Sequence, residues 1–328
     1  MYGDFMVITF FEINDIEEER FGKNLTGHTL RFFEEAIQNV EQEKYIDSDV
    51  ISVFIHSKVI EEIIDQCSNL KLIATRSTGT DHIDLEYAKS QNIQVKNVAL
   101  YGENTVAEHT FALMLALSRK IHESYIKTAQ GNFSTTGLMG FDLKDKTIGI
   151  IGGGRIGLHV ARMARSFGMH VRVYDIHKDN FMAELINFKY LSLDELLKVS
   201  DIISLHVPLN KHTAHMINKE TISKMKDGVV IINTARGGLI NNADLIAGLE
   251  SGKIYGAGLD VLEGEEFLFE ENISNSPIQN AAKIIVESKL LSRMPNVVIT
   301  PHNAFNSIEA VHRIIDTTID NILDSFSN

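Results

Sequence analysis

The chain has 328 residues, 44% of them hydrophobic and 23% charged, ordinary globular values that argue against disorder, collagen and coiled coil and suit two domains. Its net charge is −13, and residues 1–100 hold nine Lys and Arg against eighteen Asp and Glu, the wrong sign for a nucleic-acid partner. A lone Cys67, a longest mid-chain apolar run of only Phe111 to Leu117, and an acidic start, Met1-Tyr2-Gly3-Asp4, lead us to expect a cytoplasmic protein without disulfide, signal peptide or membrane span.

In the first hundred residues, short β-branched runs predict strands over Phe5–Phe11, Val50–Ile55, Leu70–Thr75 and Ile93–Val98. Val59–Cys67 and Asp84–Ser90 read as the helices between them. A long helical stretch, Thr105–Ile121, bridges to a larger unit. There the rhythm of apolar strand, turn and amphipathic segment repeats, with strands over Thr147–Ile151, Val171–Asp175, Ile202–Val207, Val229–Asn233, Ile254–Val261 and Val297–Thr300. Ile156, Val160, Met163 and Phe167 fall at helical spacing on one face. Ser192-Leu193-Asp194-Glu195 reads as a capping box, Asn241 as an N-cap, and Gly252 as the stop of that helix. After Asn306 an amphipathic helix runs to about Phe326. Alternating β and α at this spacing predicts an α/β fold of two Rossmann-like, doubly wound parallel-sheet domains.

Gly152-Gly153-Gly154-Arg155-Ile156-Gly157 fits the dinucleotide fingerprint, follows a predicted strand and opens a predicted helix. Gly152 permits the tight turn, Gly154 the approach of a pyrophosphate, and Gly157 the packing of helix on strand. Asp175 ends the next strand, where a carboxylate accepts from ribose hydroxyls and repels a 2′-phosphate, so NAD is expected. A tight glycine turn beside a surface Asp is the bland alternative, and the agreement of fingerprint, strand and Asp weighs against it. The fingerprint comes late, so the nucleotide domain is inserted in, or follows, another domain.

Open α/β sheets bind ligands beyond the carboxyl ends of their strands. Arg236 follows Val229–Asn233, Asp260 and Glu265 follow the next strand, and His302 follows the last. Arg can hold a carboxylate bidentately, His exchanges a proton near neutral pH, and a carboxylate orients that His. Each alone reads more simply as a solvated surface group. His206, His212 and His215 lie close in sequence, but their spacing matches no zinc motif and no Cys joins them, so no metal is expected.

Arg76-Ser77-Thr78-Gly79-Thr80-Asp81-His82-Ile83-Asp84, Asn104-Thr105-Val106-Ala107-Glu108-His109, Asn233-Thr234-Ala235-Arg236-Gly237, Gly258-Leu259-Asp260-Val261 and Thr300-Pro301-His302-Asn303-Ala304-Phe305 together resemble the D-2-hydroxyacid dehydrogenase family, over nearly the whole chain. The resemblance implies a smaller, flavodoxin-like substrate domain split in sequence, 1–101 and 303–328, with the NAD-binding domain, 102–302, inserted in it. It assigns Arg236, Glu265 and His302 as catalytic. It places Gly152, Gly154, Arg155, Ile156, Gly157, Asp175, His206, Val207, Pro208, Thr213, Thr234, Ala235, Arg236 and Asp260 along the cofactor. It puts Thr78, Gly79, Tyr101, Arg236, His302 and Phe305 at the substrate, with Phe54 a looser candidate. In the family the helix carrying Phe111, Leu113, Met114, Leu117 and Ile121 contributes to a dimer, so a homodimer is implied, although that face alone reads as core.

Glu266 follows Glu265, and His302 lies 37 residues beyond Glu265. That long insertion and Tyr101 resemble the D-lactate dehydrogenase branch, implying pyruvate and D-lactate as substrates. Another small 2-oxo or 2-hydroxy acid, such as glyoxylate, glycerate or a branched acid, is the alternative within the family. An NAD-gated corepressor that binds proteins is the alternative outside enzymes, and such relatives usually carry a long extra tail that this chain lacks.

Overall fold

The computed structural model describes residues 5–265 and 281–326. The start Met1–Asp4 and residues 266–280, Glu266 among them, lie outside the described residues. Two units emerge, Met1–Tyr101 with Ser307–Asn328, and Gly102–Asn306. The second boundary falls four residues later than expected, because the N–H groups of Asn303 and Ala304 are bound to Asp260 of the large unit.

The small unit runs β1 (Val7–Phe10), α1 (Asp15–Asn24), β2 (Thr29–Phe32), β3 (Val50–Val53), α2 (Glu61–Gln66), β4 (Leu72–Thr75), α3 (Leu85–Ser90) and β5 (Gln94–Lys96). Its sheet is parallel throughout, in the flavodoxin order β2-β1-β3-β4-β5. β3 and β4 are buried along their whole length, as central parallel strands covered on both faces must be. Phe11, Ile51, Ile64 and Ile73 fill one side. On the other, Ile8, Phe10 and Leu72 pack with Ile315, Ile319 and Ile322 of the C-terminal helix Ile308–Phe326, which closes this unit. Neither α1 nor β2 was expected. α1 buries only Glu17 and Phe21, and β2 is half-exposed, so neither shows a strong apolar rhythm. The start of α1 did carry a signal, because Asn14 and Glu17 form a capping box.

The large unit runs α4 (Glu103–Ser118), α5 (Ile121–Ala129), β6 (Thr147–Ile151), α6 (Arg155–Ser166), β7 (His170–Tyr174), α7 (Asn180–Ile186), β8 (Lys189–Tyr190), α8 (Leu193–Val199), β9 (Ile202–Leu205), α9 (Lys219–Lys224), β10 (Val229–Asn233), α10 (Asn242–Glu250), β11 (Ile254–Leu259), α11 (Ala281–Leu291) and β12 (Val297–Ile299). The seven strands are parallel, ordered β12-β11-β10-β9-β6-β7-β8. The strand order reverses between β6 and β9, the topological switch point at which such sheets bind ligands. The capping box at Ser192, the N-cap at Asn241 and the left-handed Gly252 (φ +74°) stand as the sequence suggests. Among the described residues, no helix is long and apolar enough to cross a membrane.

Two helices differ from expectation. The stretch Thr105–Ile121 is two helices, broken by Lys120 in the left-handed conformation (φ 52°, ψ 40°). Phe111, Leu113, Met114 and Leu117 are core against Ile148, Ile150 and Ile232, whereas Ile121 is exposed. In α6 the buried stripe is Gly157, Val160, Ala161 and Ala164. These small residues let the helix lie close on the sheet. Ile156 and Met163 pack at its edge, and Phe167 stacks on Phe111 at 5.0 Å.

The carboxyl end of β4 in the small unit rests on a buried cation. Arg76, 1% exposed, donates through Nη2 to the Phe11 and Glu12 carbonyls, both at 2.7 Å, and through Nη1 to Ser52 Oγ, while Nε lies 3.4 Å from Glu17 Oε1. Glu12, itself left-handed (φ 55°), accepts from the N–H groups of Phe54, His56 and Ser57. Arg76 thus ties β1, α1 and β3 to β4. Arg76→Leu would leave Glu17 charged and buried without its partner, a loss of about 3–5 kcal/mol. A urea titration should show the fall, and an unchanged midpoint would count against this role.

Candidate active site

Because every strand of the large sheet is parallel, all their carboxyl ends reach one edge. Along it, from β12 to β7, stand His302, then Asp260 with Glu265, then Arg236, His206, Gly152 and Asp175. The residues picked out by sequence for cofactor and chemistry therefore share one rim of one rigid sheet.

The nucleotide end lies at the switch point. Gly152 is left-handed (φ 103°), and a Cβ there would strike the His206 carbonyl oxygen at the end of β9. A Cβ on Gly157 would strike the Gly152 carbonyl oxygen. At Gly154, the N-cap of α6, a Cβ would meet nothing within 4 Å, which leaves open space before the helix N-terminus for a pyrophosphate. Asp175 Oδ2 accepts from Gly153 N–H at 2.6 Å and Oδ1 from His177 N–H at 2.7 Å. The carboxylate is thereby fixed beside the glycine loop, the place a ribose requires. Ile156 is half-buried, and the Arg155 guanidinium lies 3.4 Å from Glu103. These groups fit a dinucleotide.

The residues along the rest of the cofactor rim are held by short local bonds. His206 Nε2 meets Ser204 Oγ at 2.8 Å, and burial pushes its imidazole down to about 3, so it stays neutral at physiological pH. Val207 packs against the core. The Thr213 hydroxyl donates to the Pro208 carbonyl at 2.6 Å and accepts from Asn210 N–H, closing the loop after β9. Thr234 Oγ1 sits 3.0 Å from Thr110 Oγ1; the latter gives its proton to the Val106 carbonyl, so Thr234 is the donor. Arg236 Nη1 donates to the Ala235 carbonyl at 2.8 Å. His215 pairs with Glu263 at 2.5 Å. Thr78, Gly79 and Tyr101 belong to the small unit, where the Thr78 hydroxyl donates to the Val98 carbonyl and the Tyr101 carbonyl accepts from Arg313. Phe305 lies in the large unit.

At the β11–β12 end, His302 Nδ1 meets Glu265 Oε1 at 2.7 Å. Glu265 Oε2 accepts from Leu262 N–H at 3.1 Å, so the carboxylate is held from both sides. His302 has left-handed backbone (φ 51°), which a non-glycine residue adopts only when its surroundings impose it. Asp260 imposes it. The Asp260 side chain has no exposed surface. Its oxygens accept from Thr300 Oγ1 (2.5 Å), Asn303 N–H and Ala304 N–H (both 2.8 Å), and its carbonyl accepts from His302 N–H. His109 Nε2, from α4, lies 3.0 Å from Thr300 Oγ1 and 3.3 Å from Asp260. Burial pushes the Asp260 carboxyl up, but the bonds from His109, Thr300, Asn303 and Ala304 outweigh it and hold the group below its ordinary value. Sequence reasoning assigned Asp260 to the cofactor, and the structure shows it wrapped within the turn that carries His302. Thr300 and His109 were not among the expected site residues, although both fall inside motifs that sequence reasoning singled out.

Residues 111–304 match the family described as D-isomer specific 2-hydroxyacid dehydrogenase, NAD binding domain. The chain is 40% identical to a 2-hydroxyacid dehydrogenase homolog of Haemophilus influenzae, over 84% of its own length and 82% of the relative's. It is 44% identical to an aromatic 2-oxoacid reductase of Clostridium sporogenes, over 80% and 77%. A crystal structure of D-lactate dehydrogenase from Aquifex aeolicus, complexed with NAD and lactic acid, superposes with a TM-score of 0.87 at 38% identity, covering 96% of this chain and 94% of that one. The cofactor of the large unit is NAD.

The Asp260 carboxyl is depressed in the folded state, so its stabilising effect is present above its unfolded value, about 3.9, and is lost as pH falls through the lower folded one. Asp260→Asn should cost about 2–4 kcal/mol at pH 7, since an amide meets the same donors with a donor of its own. The gap to wild type should narrow below about pH 4. Urea titrations at both pH values test this, and a gap independent of pH would refute it.

Proposed function

The chain belongs to the D-isomer-specific 2-hydroxyacid dehydrogenase family, and from that premise we propose that it interconverts pyruvate and D-lactate, with His302 as acid and base. The 2.7 Å contact between His302 Nδ1 and Glu265 Oε1 carries the reading. It engages one ring nitrogen and leaves Nε2 to exchange a proton with substrate. Arg236 takes the substrate carboxylate by a two-pronged bond, with the backbone N–H groups near Thr78 and Gly79. Tyr101 and Phe305 border the rest of the substrate. NADH supplies the hydride to the carbonyl carbon when bound. As charge develops on the carbonyl oxygen, Arg236 and protonated His302 stabilise it, and His302 delivers its proton there. In the reverse direction neutral His302 accepts the proton of the hydroxyl.

The likeness to the Aquifex enzyme over nearly the whole chain supports D-lactate. So does Arg76, the cation nearest in sequence to the Thr78 loop, which is turned inward to the Phe11 and Glu12 carbonyls and offers nothing to a phosphorylated acid. The 44% identity to the Clostridium reductase favours a second reading, an aromatic 2-oxo acid. We extend the proposal to a cytoplasmic homodimer without a nucleic-acid partner. Ile121, Tyr125, Ile126, Phe133 and Met139, on α5 and the segment after it, are each more than half exposed and supply apolar surface for a second copy.

Turnover of pyruvate, phenylpyruvate, 4-methyl-2-oxopentanoate and 3-phosphohydroxypyruvate with NADH should give the highest kcat/KM for pyruvate. A preference for phenylpyruvate would transfer the assignment to the second reading, and a preference for the phosphorylated acid would overturn both.

Glu265→Gln keeps the shape of the pair but removes its charge. Reduction should lose on the order of ten- to a hundredfold in kcat, and oxidation at alkaline pH, which uses neutral His302, should lose less. Equal loss in both directions would remove Glu265 from this role.

A further inference from the structure

At the carboxyl end of β4 the side chains alternate. Arg76 points into the core toward Phe11 and Glu12, while Thr75 and Ser77 turn to the other side. Thr75 and Ser77 are 1% and 2% exposed, so water does not satisfy their hydroxyls. Ser77 Oγ donates to the Gly79 carbonyl at 2.6 Å. That uses its only proton, so the 2.7 Å contact between Thr75 Oγ1 and Ser77 Oγ must run from Thr75 to Ser77. Thr75 has then spent its proton too, and the 3.1 Å contact with His82 Nε2 can exist only with the ring nitrogen as donor. The direction of the whole chain is fixed: His82 Nε2–H to Thr75, Thr75 to Ser77, Ser77 to the Gly79 carbonyl.

Both ends of this chain are anchored. The His82 carbonyl accepts from Val59 N–H at 2.9 Å, and Val59 bridges Ile83, which holds the imidazole in place from the start of α2. The other side of the loop is tied to the segment after β5, where Val98 N–H reaches the Ser77 carbonyl, the Thr78 hydroxyl the Val98 carbonyl, and Asn97 Nδ2 the Thr78 carbonyl. Those bonds fix the peptides that carry the Thr78 and Gly79 N–H groups, and leave the next peptide, Gly79–Thr80, to be held by the hydroxyl relay.

We propose that His82 is a positioning residue, which through Thr75 and Ser77 holds the Gly79–Thr80 peptide and so braces, from its C-terminal side, the loop whose backbone N–H groups take the substrate carboxylate. This rests on the function proposed above, which gives that loop the carboxylate. With the imidazole donating, the buried hydroxyls have one permitted arrangement. Without it Thr75 loses its donor, its hydroxyl is free to turn, and the bond that holds Gly79 loses the polarisation it receives from the chain. A carboxylate is gripped equally before and during hydride transfer, so the effect falls on KM rather than on kcat.

The test is steady-state reduction of pyruvate by the full-length protein and its variants His82→Asn, His82→Gln, Thr75→Val and the double variant Thr75→Val/His82→Asn. His82→Asn should raise the pyruvate KM about five- to tenfold, with kcat and the NADH KM within about twofold of wild type. The amide nitrogen of His82→Gln reaches the place of Nε2 and should restore the low KM. Thr75→Val should match His82→Asn, and the double variant should be no worse than either, as for two links of one chain. A pyruvate KM in His82→Asn within about twofold of wild type, a fall in kcat at constant KM, or additive losses in the double variant would overturn the proposal. Should His82→Asn fail to fold, Thr75→Val decides by the same criteria. A wild-type protein that reduces no 2-oxo acid would defeat the proposed function itself, a result distinct from an active wild type beside an indifferent His82→Asn.

Discussion

The chemistry end of the large unit hangs on one buried carboxylate. β11 carries Asp260 to its tip, and the turn after β12 folds over it, so that a hydroxyl, two backbone N–H groups and an imidazole edge all converge on two oxygens. An unsolvated carboxylate is costly unless its lone pairs are met, and here Thr300, His109 and the N–H groups of Asn303 and Ala304 meet them. The turn cannot relax without exposing Asp260 to apolar surroundings, which is how His302 is kept in a backbone conformation that its side chain alone would not choose. Glu265 leaves the same strand end and is held by the Leu262 N–H, so His302 and its carboxylate partner are both measured from one point.

A similar economy governs the nucleotide end. Gly152 meets His206 backbone to backbone across the switch point, and Gly157 brings α6 down on Gly152. The stripe Gly157, Ala161, Ala164 extends that closeness along the helix. Small side chains thus decide where the N-terminus of α6 sits, and Asp175, bonded to the Gly153 N–H, takes its position from the same loop. Close packing sets where the helix end lies, and the Gly153 bond sets the Asp175 carboxylate beside it.

Much of this was legible beforehand. The parallel strands announced themselves because they are buried on both faces and read as unbroken β-branched runs, such as Val229–Asn233. The fingerprint and the polar residues after each strand followed from the rule that such sheets work at their carboxyl ends. What escaped is equally physical. α1 and β2 lie where only one or two side chains are buried, so no period is imposed on their sequences. The break at Lys120 leaves no Gly or Pro as a mark. The inward turn of Arg76 is a matter of which side of a strand end faces the core, and composition alone suggests only a surface cation. The part that Asp260 plays in the turn was not readable from its place at the rim, because its bonds come from residues some forty positions away.

The split of the small unit has a consequence for biosynthesis. Strands β1 to β5 are made before the inserted unit, but the face formed by Ile8, Phe10 and Leu72 is covered in part by Ile315, Ile319 and Ile322, which are made after it. Between them the ribosome must add the whole of Gly102–Asn306, a unit with its own sheet and its own cores. The inserted unit can therefore mature on the ribosome while one side of the first sheet is covered only in part, by Phe21 and Leu25. The unit begun before the inserted one is completed after it, and during that interval its half-covered flank is the surface for which chaperones and aggregation compete.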